Sequence, residues 1–143
     1  MKSILIITSI LFAQISFAAP TATTPNPASI QKKYDLKIDY SVDGKHIDSP
    51  TVILSEGDPT TVTKETADGK FFLTIATVAH KAEPNKKVIA LEMIIGKFEK
   101  DGKETILSKP KIIANEGETA TISIGDAKTK KERISLTIVG KSL

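Results

Sequence analysis

Cysteine and tryptophan are absent from this 143-residue chain, histidine occurs twice and arginine once. Without cysteine there is neither a disulfide framework nor a thiol for lipid attachment, so the fold rests on core packing. The single arginine, Arg133, and the five aromatics beyond the N-terminal segment, Tyr34, Tyr40, Phe71, Phe72 and Phe98, leave little for bidentate phosphate or base recognition, or for stacking single strands. A formal charge of +3, one less once Lys2 is removed, is too small to imply a polyanionic partner. Scattered lysines instead keep strand faces soluble and discourage edge-to-edge pairing. No Gly-x-Ser-x-Gly elbow and no phosphate-binding glycine loop occurs. These absences argue against nucleic-acid binding and against an enzyme, and no cofactor is implied.

The N-terminus has the three parts of a secretory signal: Met1-Lys2, an apolar run from Ile4 to Ala13, and Ser16-Phe17-Ala18 as a small-x-small site. Cleavage is expected after Ala18, giving a signal peptide over 1–18. The apolar run is too short for a membrane span of about 20 residues. Residues 19–33, with three prolines among small polar residues, are expected to form an extended leader, and 34–143 a single β domain. The expected location is the periplasm of a Gram-negative bacterium or its exterior.

The domain contains a repeat. Pro50-Thr-Val-Ile-Leu-Ser-Glu-Gly-Asp-Pro-Thr-Thr-Val recurs 60 residues later as Pro110-Lys-Ile-Ile-Ala-Asn-Glu-Gly-Glu-Thr-Ala-Thr-Ile, and Leu73-Thr74-Ile75 is echoed by Leu136-Thr137-Ile138. Asp43-Gly44-Lys45 and Asp101-Gly102-Lys103 precede the two copies. The repeat units run over about 34–80 and 88–140, joined by the charged, proline-containing stretch Lys81 to Lys87. Each copy is expected to form a hairpin around Glu-Gly, with Gly44, Gly57, Gly69, Gly102 and Gly117 as turn residues of positive φ.

Tyr34, Leu36, Ile38, Tyr40 and Val42 alternate with polar residues, as a half-buried strand requires. Lys70 to Ala79 looks apolar on both faces, which predicts a central strand covered on each side. Val88 to Lys100 is the longest apolar run of the domain, and its β-branched content favours strand over helix. The last strand alternates Ile134, Leu136 and Ile138 with polar residues, and its end at Leu143 is expected to be open for strand addition. The expected fold is all-β, an antiparallel sandwich or partly open barrel built from two repeated hairpin units sharing one core, since a half of about 50 residues would be marginal alone.

Three sets of residues invite chemistry. His46 and His80, with Asp48 or Glu83, offer two or three ligands in a spacing that matches no metal motif. Glu56 with Asp58 and Glu116 with Glu118 flank turn glycines, but each turn presents fewer oxygens than the six to eight of a calcium site. Lys128, Lys130, Lys131 and Arg133 form a basic loop suited to contacting a partner. No catalytic or metal residue is assigned.

Lys109-Pro110-Lys111-Ile112-Ile113, Gly117, Ala120-Thr121-Ile122 and Gly125 resemble the Pro-x-Ile…Gly-x-x-Ala-x-Ile-x-x-Gly stretch of the core domain of bacterial secretins, the outer-membrane export channels. A similar phrase occurs in small periplasmic proteins. The resemblance implies a periplasmic β module; the chain lacks a secretin's length and its amphipathic membrane hairpin, so no pore function follows. The expected function is binding of another envelope or extracellular protein. The alternatives are a secreted effector or inhibitor and a small metal-dependent hydrolase.

Overall fold

A computed structural model describes residues 31–81, 84–125, 128 and 132–143. The signal, most of the leader, Glu83, Lys130 and Lys131 lie outside the described residues. Among the described residues, ten antiparallel strands form two five-stranded sheets, an all-β sandwich that does not close into a barrel. The first half supplies β1 (Lys33–Val42), β2 (Lys45–Asp48), β3 (Thr51–Ser55), β4 (Thr60–Thr66) and β5 (Gly69–Thr77). The second supplies β6 (Val88–Phe98), β7 (Glu104–Ser108), β8 (Lys111–Asn115), β9 (Thr119–Gly125) and β10 (Glu132–Ser142).

Neither half owns a sheet. Sheet A runs β2-β1-β10-β9, with β3 continuing β2 along the same edge of β1; sheet B runs β4-β5-β6-β7, with β8 continuing β7 along β6. Each half therefore puts its first three strands in one sheet and its last two in the other. The seams obey one register: Leu36 pairs with Gly140 and Tyr40 with Leu136 in sheet A, as Leu91 pairs with Thr77 and Ile95 with Leu73 in sheet B. Hydrogen bonds repeat as well. Ile38 N donates to Pro50 O as Met93 N does to Pro110 O, and Glu56 N donates to Lys32 O as Glu116 N does to Lys87 O. The approximate twofold axis runs between the sheets, along the strands.

Two expectations are corrected by this topology. The Glu-Gly turns do not close hairpins. β3 pairs with β1 and β4 with β5, so Glu56-Gly57 carries the chain from sheet A to sheet B, and Glu116-Gly117 carries it back. Asp58 N donates to Ser55 O, and Glu118 N to Asn115 O, around glycines at φ 83° and 78°. Pairing β3 with β4 would have widened one sheet and left its apolar face bare; crossing over lets each sheet cover the other. The second correction concerns the last strand. β10 lies between β1 and β9, paired on both sides as far as Val139 and beyond that only with β1, so most of the strand is no free edge.

Hairpins close at Asp43-Gly44, where both residues have positive φ as a two-residue turn demands, and at Ala67-Asp68, between the paired Thr66 and Gly69. Gly102 also has positive φ, but its turn is not in register with that of Gly44, because the β6–β7 hairpin extends one pair further, to Phe98 and Glu104. The inward residues of β1, β3, β5, β6 and β10 form one core in which Leu36, Leu54, Leu73, Ile75, Ile95 and Leu136 are wholly buried. Val88–Phe98 is strand along its length.

Tyr40 sits in that core with its hydroxyl buried and without a hydrogen-bond partner. Burial, and secondarily the Asp48 carboxylate, push its pKa from 10.0 up to about 12. Tyr40→Phe removes a desolvated hydroxyl at no cost in shape, so we expect a gain of about 1 kcal/mol in urea unfolding. Because the folded-state pKa is raised, the wild-type chain should lose stability as pH rises from 10.0 through about 12. The phenylalanine variant should lose less over that range; an equal loss would show that Tyr40 is not the group responsible.

Candidate functional site

Because the two sheets share one backbone plan, their outer faces can be compared position by position. In sheet B, Phe72, Gly96 and Ile106 form one cross-strand row, Thr74 and Ile94 the next, and Ala76, Glu92 and Lys111 the third. Beyond them lie Val78, Ala90 and Ile113. The matching rows of sheet A hold Ser135, Ser41 and His46; Thr137 and Asp39; Val139, Lys37 and Thr51; and Asp35 with Ile53. The sheet B face is the more apolar along β5 and β6, with Thr61 and Thr63 of β4 beside it; the sheet A face is mostly polar and charged, apart from Val139 and the exposed Ile53. Ile106 and Ile113 are 49% and 57% exposed, and the embedded charges, Glu92 and Lys111, form an ion pair with each other.

The sequence expectation that β5 is covered on both sides is thus corrected: no further layer lies over its outer face among the described residues. Phe72 is buried there by its own sheet. Its ring lies across Gly96 and packs at a tilt of 53° against Phe98, with Lys70 Nζ 5.3 Å from the Phe98 centroid. The outer face of β6 lacks the alternation of β1: Val88, Ala90 and Ile94 stand where β1 has Lys33, Asp35 and Asp39.

Of the four sheet edges, the β2–β3 and β7–β8 edges are interrupted by Pro50 and Pro110, and β4 carries Lys64 and Glu65, with Lys64 reaching Asp48 at 3.5 Å. These are ordinary guards against edge pairing. β9 has neither proline nor charge.

The two Glu-Gly turns, far apart in sequence, meet at one end of the sandwich. Glu56 and Glu116 line a cleft of about 290 Å³ together with Tyr34, Lys32, Lys87 and Ser142. Burial first, then Glu56 and Glu116, raise the Tyr34 pKa. Ser142 Oγ donates to Glu116 Oε2 at 3.1 Å, and Thr77 Oγ1 accepts from Gly57 N at 2.9 Å. Asp58 and Glu118 do not line this cleft, so each expected carboxylate pair contributes one member. At the opposite end, Asp43, Lys45, Asp68, Lys97 and Arg133 line a second cleft, where Arg133 Nε pairs with Asp43 at 3.4 Å and Lys45 with Asp68 at 2.8 Å. Of the basic loop proposed from sequence, Arg133 is thus committed to Asp43, and Lys128 is exposed in a turn.

No family model matches this chain, and no curated protein or solved structure is significantly similar to it. The chemistry must therefore be argued from the residues. His46 lies on an exposed sheet A edge beside Asp39 and Ser49, a serine, a histidine and an acid within 3.1 Å of one another. Their arrangement is not that of a nucleophile and its base. His46 Nε2 faces both Asp39 Oδ2 and Ser49 Oγ, and the Ser49 hydroxyl donates to Asp39 at 2.6 Å, so its proton points at the carboxylate and not the imidazole. Among the described residues no group of three metal-ligating side chains could hold an ion. Nor is any helix among them long and apolar enough to cross a membrane.

Proposed function

We propose that this protein is an exported domain that binds another envelope or extracellular protein through the outer face of sheet B. The supporting observation is the contrast between equivalent positions: Ile94 against Asp39 and Ile106 against His46, flanked by the nearly buried Ala90 and Phe72 against Asp35 and Ser135. A sheet face exposed only to water has no use for such residues, and contiguous exposed apolar patches on monomeric proteins mark binding surfaces. The partner offers an apolar surface of its own, with polar groups at its rim to meet Glu92 and Lys111. Export rests on the N-terminal signal pattern, and the short secretin-like stretch favours the periplasm over the exterior.

Site-specific photo-crosslinking in cells tests this reading. A crosslinker at Ile113 should capture one discrete partner, and one at Ile53, its equivalent on sheet A, should not. Ile106→Lys together with Ile113→Lys should abolish the product while leaving the fold intact. Equal capture from both positions, or a chain retained uncleaved in the cytoplasm, would overturn the proposal.

A further inference from the structure

We propose that the cleft between the two Glu-Gly turns binds a small zwitterion, an amino acid or short peptide with a free ammonium and a carboxylate. This site adjoins the outer face of sheet B at Val78 and Ala90 but does not depend on the role assigned to that face. It lies where the approximate twofold axis leaves the sandwich, so its wall includes matched groups, Lys32 and Glu56 from one half and Lys87 and Glu116 from the other, beside the unmatched His80 and Lys86.

The repeat is broken at the centre of the site. Tyr34 occupies the position of Ile89; it is only 8% exposed and lines the cleft, and its side chain makes no hydrogen bond among the described residues. A nearly buried phenol facing a cleft without a protein partner leaves a polar group for a ligand or water to satisfy. Neither Glu56 nor Glu116 forms an ion pair among the described residues, and Glu116 is steadied by the Ser142 hydroxyl. Two carboxylates and a phenol oxygen give three acceptors, which matches the three N–H donors of an ammonium, a group that accepts nothing. Lys32 and Lys87 in the same wall supply donors for a carboxylate. A wall carrying both charges, three lysines with two carboxylates, can meet both ends of such a ligand. The volume, about 290 Å³, is at the small end of ligand pockets, and Val88, Ile89 and Ala90 offer an apolar side to it.

Titration of the purified chain with alanyl-alanine, ethylamine and acetate, followed by amide chemical shifts, tests the assignment. The dipeptide should saturate with shifts at Lys32, Glu56, Lys87 and Glu116, and ethylamine and acetate should each bind about tenfold more weakly. Glu56→Gln with Glu116→Gln should weaken the dipeptide about tenfold with no change in melting temperature. Tyr34→Phe, which keeps the ring, should weaken it about threefold. The Ile113→Lys chain, altered only on the outer face of sheet B, should bind as wild type does. Equal affinity for the three probes, no shifts at millimolar dipeptide, undiminished binding by the double variant, or the same shifts from calcium chloride would each overturn the proposal.

Discussion

Ile138→Lys is expected to leave the chain unfolded, whereas Ile113→Lys should change its stability by no more than about 0.5 kcal/mol. Both isoleucines stand in strands of similar composition. Ile138 is 1% exposed, on a strand paired on both sides and facing the opposite sheet, while Ile113 points outward from the edge strand β8. Placing an ammonium at Ile138 requires the lysine either to lose its proton or to open the sandwich. Either route costs several kcal/mol against a total stability of about 5–15 kcal/mol for a domain. Circular dichroism and urea unfolding distinguish the two variants. A cooperative transition for Ile138→Lys at the wild-type midpoint would contradict the position of β10 in sheet A.

Gly96→Ala is the second substitution with a large expected cost, about 2–3 kcal/mol, and Gly96→Val should cost more. An added Cβ would collide with the Phe72 ring and stand 2.7 Å from the Thr105 carbonyl oxygen. The ring could turn aside, at the price of exposing itself and losing its contact with Phe98; the carbonyl belongs to the β7 backbone and cannot. Phe72→Leu should therefore rescue Gly96→Ala only in part, which a double-mutant cycle in urea would reveal. Full rescue would mean that the ring alone enforces glycine. The equivalent position in sheet A holds Ser41 without difficulty, since its row mate there is Ser135 and not an aromatic ring.

These two predictions also mark how far the chain could be understood before its structure. The alternation of Tyr34, Leu36, Ile38, Tyr40 and Val42 defines β1 and its inward face, and all five are buried. The duplication was legible from Pro50 and Pro110 onward, because identical turn chemistry and identical alternation leave the same residues at the same steps. Gly57 and Gly117 were legible as positive-φ residues for the same reason. A positive φ, however, serves a hairpin and a crossing between sheets equally well, so no local pattern distinguishes Glu56-Gly57 from Asp43-Gly44. The candidate site was harder still. Glu56 and Glu116 each have an acidic sequence neighbour, Asp58 and Glu118, but their companions in the cleft are each other and Tyr34, brought together only by the crossing of the chain.

The amino-acid sequence by itself determined that this protein is made of short antiparallel strands, where most of them start and stop, which side of each strand is apolar, and that the second half copies the first. Those properties depend on neighbours within a few residues, through side-chain alternation and the backbone freedom of glycine. Only the tertiary structure decided that the halves interleave, that the last strand lies inside a sheet, and that one of two equivalent outer faces is the more apolar. Those depend on which strands meet across the fold, and partners sixty or a hundred residues apart leave no mark on local periodicity.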